Sequence, residues 1–147
     1  NINTMESAIV RVRTKTIEGL ESSSGATIRS KSTLRGTYLT VKSSSGSTIN
    51  TDLEYEKVRC ESTSGSEITV TGKALSLNTS SSSGSKIDAQ ELAVNEATSQ
   101  STSGSSTFVN PIVLLDAKAS SGSSIEYSKE PKKVVKEETS GGSVSKD

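Results

Sequence analysis

The chain has 147 residues, 29% of them hydrophobic and 3% aromatic, so it has the length of one domain but material for only a thin core. Seventeen basic and seventeen acidic side chains cancel and are intermixed, which argues against a binder of nucleic acid or anionic membrane. A lone cysteine, Cys60, excludes an internal disulfide framework, and no apolar run approaches the roughly 20 residues that span a bilayer.

Residues 1–19 are weakly patterned and are assigned to an N-terminal strand or cap region, with residues 20–147 forming a repeat region that ends in a final coil. The chain opens at Asn1 without a charged and apolar leader, so any targeting segment is expected to have been removed. Serine accounts for 32 residues and glycine for 11, a composition that in an unpatterned chain signals a flexible linker. Here it is patterned. A Ser/Thr-Ser-Gly step recurs seven times, with glycines at Gly25, Gly46, Gly65, Gly84, Gly104, Gly122 and Gly141, at spacings of 21, 19, 19, 20, 18 and 19 residues.

Three residues after each glycine stand Ile28, Ile49, Ile68, Ile87, Thr107, Ile125 and Val144, so six of seven copies carry a β-branched aliphatic at one offset. Before each glycine, apolar and polar residues alternate, as in Leu39-Thr40-Val41-Lys42, Val58-Arg59-Cys60-Glu61, Leu75-Ser76-Leu77-Asn78 and Leu115-Asp116-Ala117-Lys118, the period of a strand with one buried face. Helical solenoids need longer repeats and a period of 3.6, and are rejected. A turn of about 20 residues holds two or three short strands, and stacking such turns pairs each strand in parallel with its counterpart one coil away. The fold class expected is all-β, a right-handed single-stranded parallel β-helix of about seven coils, the hand following from parallel crossovers.

Equal offsets then lie above one another. The isoleucines form one interior ladder, and Leu39, Val58, Leu77, Ala97, Leu115 and Val134, seven residues before each glycine, form another that ends in Glu18. The repeated glycine predicts a stack of corners needing positive φ or a close backbone approach. Some serines beside it must face inward and bond between coils or to local backbone. Cys60, five before its glycine where other coils have Leu20, Val41, Thr79, Ser99 and Ala117, is expected to be a buried filler. The mixed Lys/Glu stretch from Lys129 to Glu138, with Pro131, reads as a solvated final coil or cap.

Repeated S-x-S-G-S-x-I resembles the auto-transporter adhesin head domains, called GIN domains, of exported bacterial proteins, chiefly from Bacteroidetes. The closing stretch from Ile125 to Lys136, followed by Thr139-Ser140-Gly141-Gly142-Ser143-Val144, is similar to that family's C-terminal ending, and the resemblance runs from about Leu20 to Val144. It implies a right-handed parallel β-helix, export to the cell envelope, periplasm or cell surface, with lipid anchoring through a segment outside this chain as one route, and an adhesive label. It brings no catalytic residues. Such domains usually carry a longer N-terminal portion than Asn1 to Gly19.

Catalysis on a β-helix needs clustered carboxylates, basic residues and aromatic sugar platforms, whereas this chain has no His, no Trp, one Phe and four Asp, at positions 52, 88, 116 and 147. No catalytic residue, metal ligand or cofactor is assigned. The glycine turns lack the aspartates of calcium-binding β-rolls. An ice-ordering face conflicts with the charges between Ile49 and Leu75. Asn78-Thr79-Ser80 matches a glycosylation pattern but lies in a predicted strand and is taken as chance. Tyr38, Tyr55 and Tyr127 are too scattered for a sugar platform and are expected to cover coil edges. The leading expectation is a non-enzymatic exported scaffold or adhesin whose partners are glycans or a cell-surface or extracellular-matrix protein. The alternatives are a carbohydrate-active enzyme and a scaffold that self-assembles through coil ends or faces.

Overall fold

A computed structural model describes residues 17–147. The cap expected at residues 1–19 lies, apart from its last three residues, outside them. Ten strands follow in chain order: β1 (Gly19–Ser22), β2 (Thr27–Arg29), β3 (Leu34–Ser43), β4 (Thr48–Ser62), β5 (Glu67–Ser81), β6 (Lys86–Ser101), β7 (Ser106–Ser120), β8 (Ser124–Tyr127), β9 (Lys133–Thr139) and β10 (Ser143–Lys146). All pairings are parallel and run from coil to coil, β1 to β3 to β4 to β5 to β6 to β7 to β8 to β10, with β2 on β4 and β9 on β7. The molecule is a parallel β-solenoid of about seven turns with a period of about 19 residues.

Register follows the two expected ladders. Ile28 pairs with Ile49, Ile49 with Ile68, Ile68 with Ile87, Ile87 with Thr107, Thr107 with Ile125, and Ile125 with Val144. Leu39, Val58, Leu77, Ala97, Leu115 and Val134 stack likewise. A one-residue slip would turn every one of these side chains to solvent, so the apolar pattern holds the register. Ile49, Ile68, Ile87 and Ile125 are fully buried, and each contributes roughly 1.5–3 kcal/mol that a single coil could not secure.

The glycine corners are Ser-Gly turns of type I′. In each of the seven the serine has φ between 49° and 56° and the following glycine between 70° and 79°. The residue after the glycine donates its N–H to the carbonyl three residues back, at 2.9–3.3 Å. At the six corners from Gly25 to Gly122 a Cβ on the glycine would meet nothing within 4 Å, so positive φ and not crowding selects glycine there. The turns also bond to one another: Gly25 N–H donates to Ser45 O at 3.1 Å, and the same bond repeats at every step to Gly122 and Ser140. Along the chain the main-chain donors alternate in sense, since Ser44 N–H donates back to Ser22 O whereas Gly46 N–H donates forward to Ser64 O.

A second corner is absent from the simple alternation. In β4 the inward residues Thr51, Leu53 and Tyr55 give way to two consecutive outward residues, Glu56 and Lys57, before Val58 and Cys60 resume. Gly72 occupies the interior step between Leu53 and Leu92 with φ of 112°, and a Cβ there would stand 2.0 Å from Leu53 O. Gly36 clears space for the Tyr55 ring above it.

Candidate interaction face

Inward serines flank each turn. Ser43, Ser62, Ser81 and Ser101, three before the glycine, and Ser47, Ser66, Ser85, Ser105 and Ser123, one after it, are buried. Ser47 Oγ accepts from Ser44 N–H at 3.0 Å and donates to Ser22 O at 2.7 Å, and Ser43 Oγ donates to Ser47 Oγ at 2.8 Å. Ser66 repeats the arrangement with Thr63 N–H, Ser43 O and Ser62 Oγ. The hydroxyls thus bond turn to strand and coil to coil, and the serine richness is structural. Thr107, the one departure from the aliphatic offset, bonds Ser81 Oγ at 2.7 Å.

Cys60 is fully buried, as expected, and burial pushes its thiol up to about 12, so it presents no thiolate. Two tyrosines depart from expectation. Tyr55 and Tyr127 are core residues at 4% exposure, while Tyr38 alone lies outside at 48%. Tyr55 is held by its hydroxyl donating to Ile17 O and by the gap at Gly36, and Tyr127 lies 5.2 Å beneath Lys136 Nζ.

One outward surface is the outer side of the strand arm before the turn; elsewhere on the coils Asn50, Asp52, Leu75 and Ile112 are also exposed. Four before the glycine the column reads Glu21, Lys42, Glu61, Ser80, Gln100, Lys118 and Glu137, and six before it Thr40, Arg59, Asn78, Thr98, Asp116 and Val135. Lys42 pairs with Glu61 at 3.3 Å, Arg59 with Glu61 at 2.7 Å, and Lys118 with Glu137 at 3.0 Å. Burial raises the Glu61 carboxyl, but hydrogen bonds from Lys42 and Arg59, aided by their charges, outweigh it and hold the group below its ordinary value. Hydrogen bonding to Glu137 raises Lys118.

Between these charged ends lie neutral side chains from two adjacent coils: Asn78, Ser80, Thr98 and Gln100. Asn78, Thr98 and Gln100 are exposed. Beside them a shallow depression of about 120 Å³ is lined by Gln100, Lys118, Ala119, Ser120, Glu137 and Thr139. That is smaller than the roughly 300–1,000 Å³ of small-molecule pockets. Among the described residues no group of three or more His, Cys, Asp or Glu is placed to hold a metal ion. Asp52 is engaged locally, accepting from Thr33 Oγ1 at 2.6 Å and Thr71 Oγ1 at 3.3 Å. The repeat glycines and isoleucines singled out in the sequence build the turns and core. The outer neutral patch was overlooked, although the sign pattern four before each glycine marks it.

A parallel β-solenoid that presents its outer side chains as axial ladders is the class these features define. Residues 1–131 match the family described as "Putative auto-transporter adhesin, head GIN domain", and the chain belongs to that family. The match takes in residues 1–19, which the resemblance in the sequence left out, and stops before β9. Among solved structures, a protein of Bacteroides fragilis NCTC 9343 described as "a putative adhesin" superposes with a TM-score of 0.78 at 18% identity, which establishes likeness of fold. The alignment covers 82% of this chain and 56% of that one, so the chain spans little more than half the length of that structure. No curated protein matches the chain.

Proposed function

We propose that the chain is a non-enzymatic head segment of an exported cell-envelope adhesin, which binds glycans or surface and matrix proteins through its outer ladders. The observation that carries this reading is the neutral patch of Asn78, Ser80, Thr98 and Gln100, bounded along the axis by ion-paired columns. Amide and hydroxyl side chains at coil spacing, about 4.8 Å apart, suit a polymer whose own hydroxyls repeat along its length. Membership of an adhesin family supports the role, and the pairing of Glu61 and Glu137 with basic neighbours supports a contact face over a catalytic one.

The test is binding of the folded chain to panels of glycans and extracellular-matrix proteins, alongside Asn78→Lys/Gln100→Lys and an unfolded Ile68→Asp control. Saturable binding that the double lysine variant loses while staying folded is the expected result. Binding retained by that variant would move the contact off this face, and no binding by the parent chain would end the adhesive reading.

A further inference from the structure

On the arm before the turn, two adjacent coils carry only uncharged side chains outward, from Asn78 to Ser82 and from Thr98 to Thr102. Asn78 stands beside Thr98 and Ser80 beside Gln100, and the next outward residues along the two chains are Ser82 and Thr102. None of these six side chains hydrogen-bonds to another described residue, whereas their inward neighbours Thr79, Ser81, Ser99 and Ser101 are all bonded. At Ser82 and Thr102 only the main chain is engaged, each N–H donating to the inward serine three residues on, Ser85 Oγ at 3.0 Å and Ser105 Oγ at 3.1 Å. Beyond the turn the outward groups are spent on one another, as where Asp52 accepts from Thr33 and Thr71, and Ser124 donates to Ser106. The six form a grid of two amides and four hydroxyls in which every side chain can both donate and accept, and none is used within the fold.

What borders the grid narrows its ligand. Arg59 and Glu61 lie beside Asn78 and Ser80 on one side, and Asp116 and Lys118 beside Thr98 and Gln100 on the other. The cations are already engaged, Arg59 and Lys42 with Glu61 and Lys118 with Glu137, so a sulfate or carboxylate on a ligand would compete with a carboxylate in place for each of them. Asp116 and Glu96, the outward residue that precedes Thr98, are in no ion pair among the described residues and repel an anion. Nor does the grid hold an aliphatic or aromatic side chain, the kind of anchor on which protein interfaces concentrate their affinity. We infer that the ligand of this face is an uncharged glycan, whose hydroxyls donate and accept as the grid does. The inference rests on the adhesive reading of the face and selects among the ligands which that reading allows. With no ring for a sugar to stack on, and each hydrogen bond exchanged against water, a single site binds weakly and a polymer that engages several sites is held best.

The test is surface plasmon resonance of the chain over dextran, mannan and galactan as uncharged polymers, heparin and hyaluronan as anionic ones, and fibronectin as a matrix protein. The expected result is saturable binding to an uncharged polymer, little changed by salt up to about 0.5 M. Thr98→Val and Gln100→Ala, both at exposed positions and checked for folding by circular dichroism, should each weaken that binding about three- to tenfold. Binding to heparin, hyaluronan or fibronectin in place of the uncharged polymers would overturn the inference, and where the same variants weaken it the adhesive face stands. Uncharged-polymer binding that both folded variants leave unaltered would overturn it as well, by moving the ligand off the grid. A parent chain that binds nothing on the panel would remove the adhesive reading and this inference with it.

Discussion

The coils around Gly65 and those around Gly104 share every column yet are filled differently. The first interior holds Val58, Cys60 and Ile68, and the second holds Ala97, Ser99 and Thr107 at the same offsets. Both are buried to within 2%. The difference is made good by hydroxyl pairing along the axis: Thr79 Oγ1 donates to Ser99 Oγ at 2.8 Å, and Ser81 Oγ lies within 2.7–3.0 Å of Ser101, Ser105 and Thr107 hydroxyls. A solenoid column therefore accepts polar fillers when the coil above or below supplies the partner, since the cost of a buried hydroxyl lies in leaving it unpaired.

The largest effect expected is at the apolar end of this contrast. Ile68→Asp places a charge among Ile49, Ile87 and the fully buried side chains around them, with no partner, and should cost several kcal/mol or unfold the chain in a thermal melt followed by circular dichroism. A melt unchanged from the parent would disprove the register. The hydroxyl half should respond in a different way. Thr79→Val leaves Ser99 Oγ without its donor and should cost about 1–3 kcal/mol in denaturant unfolding, whereas Thr79→Val with Ser99→Ala should return close to the parent. Equal losses from the single and double variants would mean that the pair does not act as a unit.

The outer columns carry a weaker contrast, between the charged Lys42–Arg59–Glu61 cluster and the neutral Asn78–Gln100 patch. Because the folded Glu61 carboxyl is held below its ordinary value of 4.5, it stabilises the fold above that pH, and the contribution is lost as pH falls through the lower folded value. Its side chain is 26% exposed, so the effect should be below about 1 kcal/mol. Glu61→Gln should lose that increment at pH 7 and melt like the parent under acid. A pH-independent difference between the two would assign the loss to packing.

The fold was legible because two signals with different causes share one period: glycine marks the corner by backbone conformation, and the aliphatic three residues later marks the buried step. The interior hydroxyls were legible only as a need, since composition does not tell an inward serine such as Ser66 from an outward one such as Ser64. Gly72 and Gly36 went unread because each occurs once, its cause lying a coil away at Leu53 and Tyr55. The outer face was least legible, as its charges pair between residues 19 apart and look unpatterned along the chain.

One feature common to both halves was present in all seven copies: the residue before each glycine is serine, and it takes positive φ. An L-residue pays roughly 1–2 kcal/mol in that region, and glycine's extra freedom in the unfolded chain returns about 0.5–1 kcal/mol of any relief. Neither Ser64 nor Ser103 is buried, and what each gives the ladder is a main-chain carbonyl, accepting from Gly46 N–H and Gly84 N–H at 3.1 and 3.0 Å, which glycine keeps. Ser64→Gly and Ser103→Gly should therefore each raise stability by about 0.5–1 kcal/mol, and by the same amount, because the turn is the same whether the interior beneath it is Ile68 or Thr107. Unequal gains, measured by denaturant midpoint at constant slope, would show that the turns sense the filling of the core and that the two halves differ in more than their interior columns.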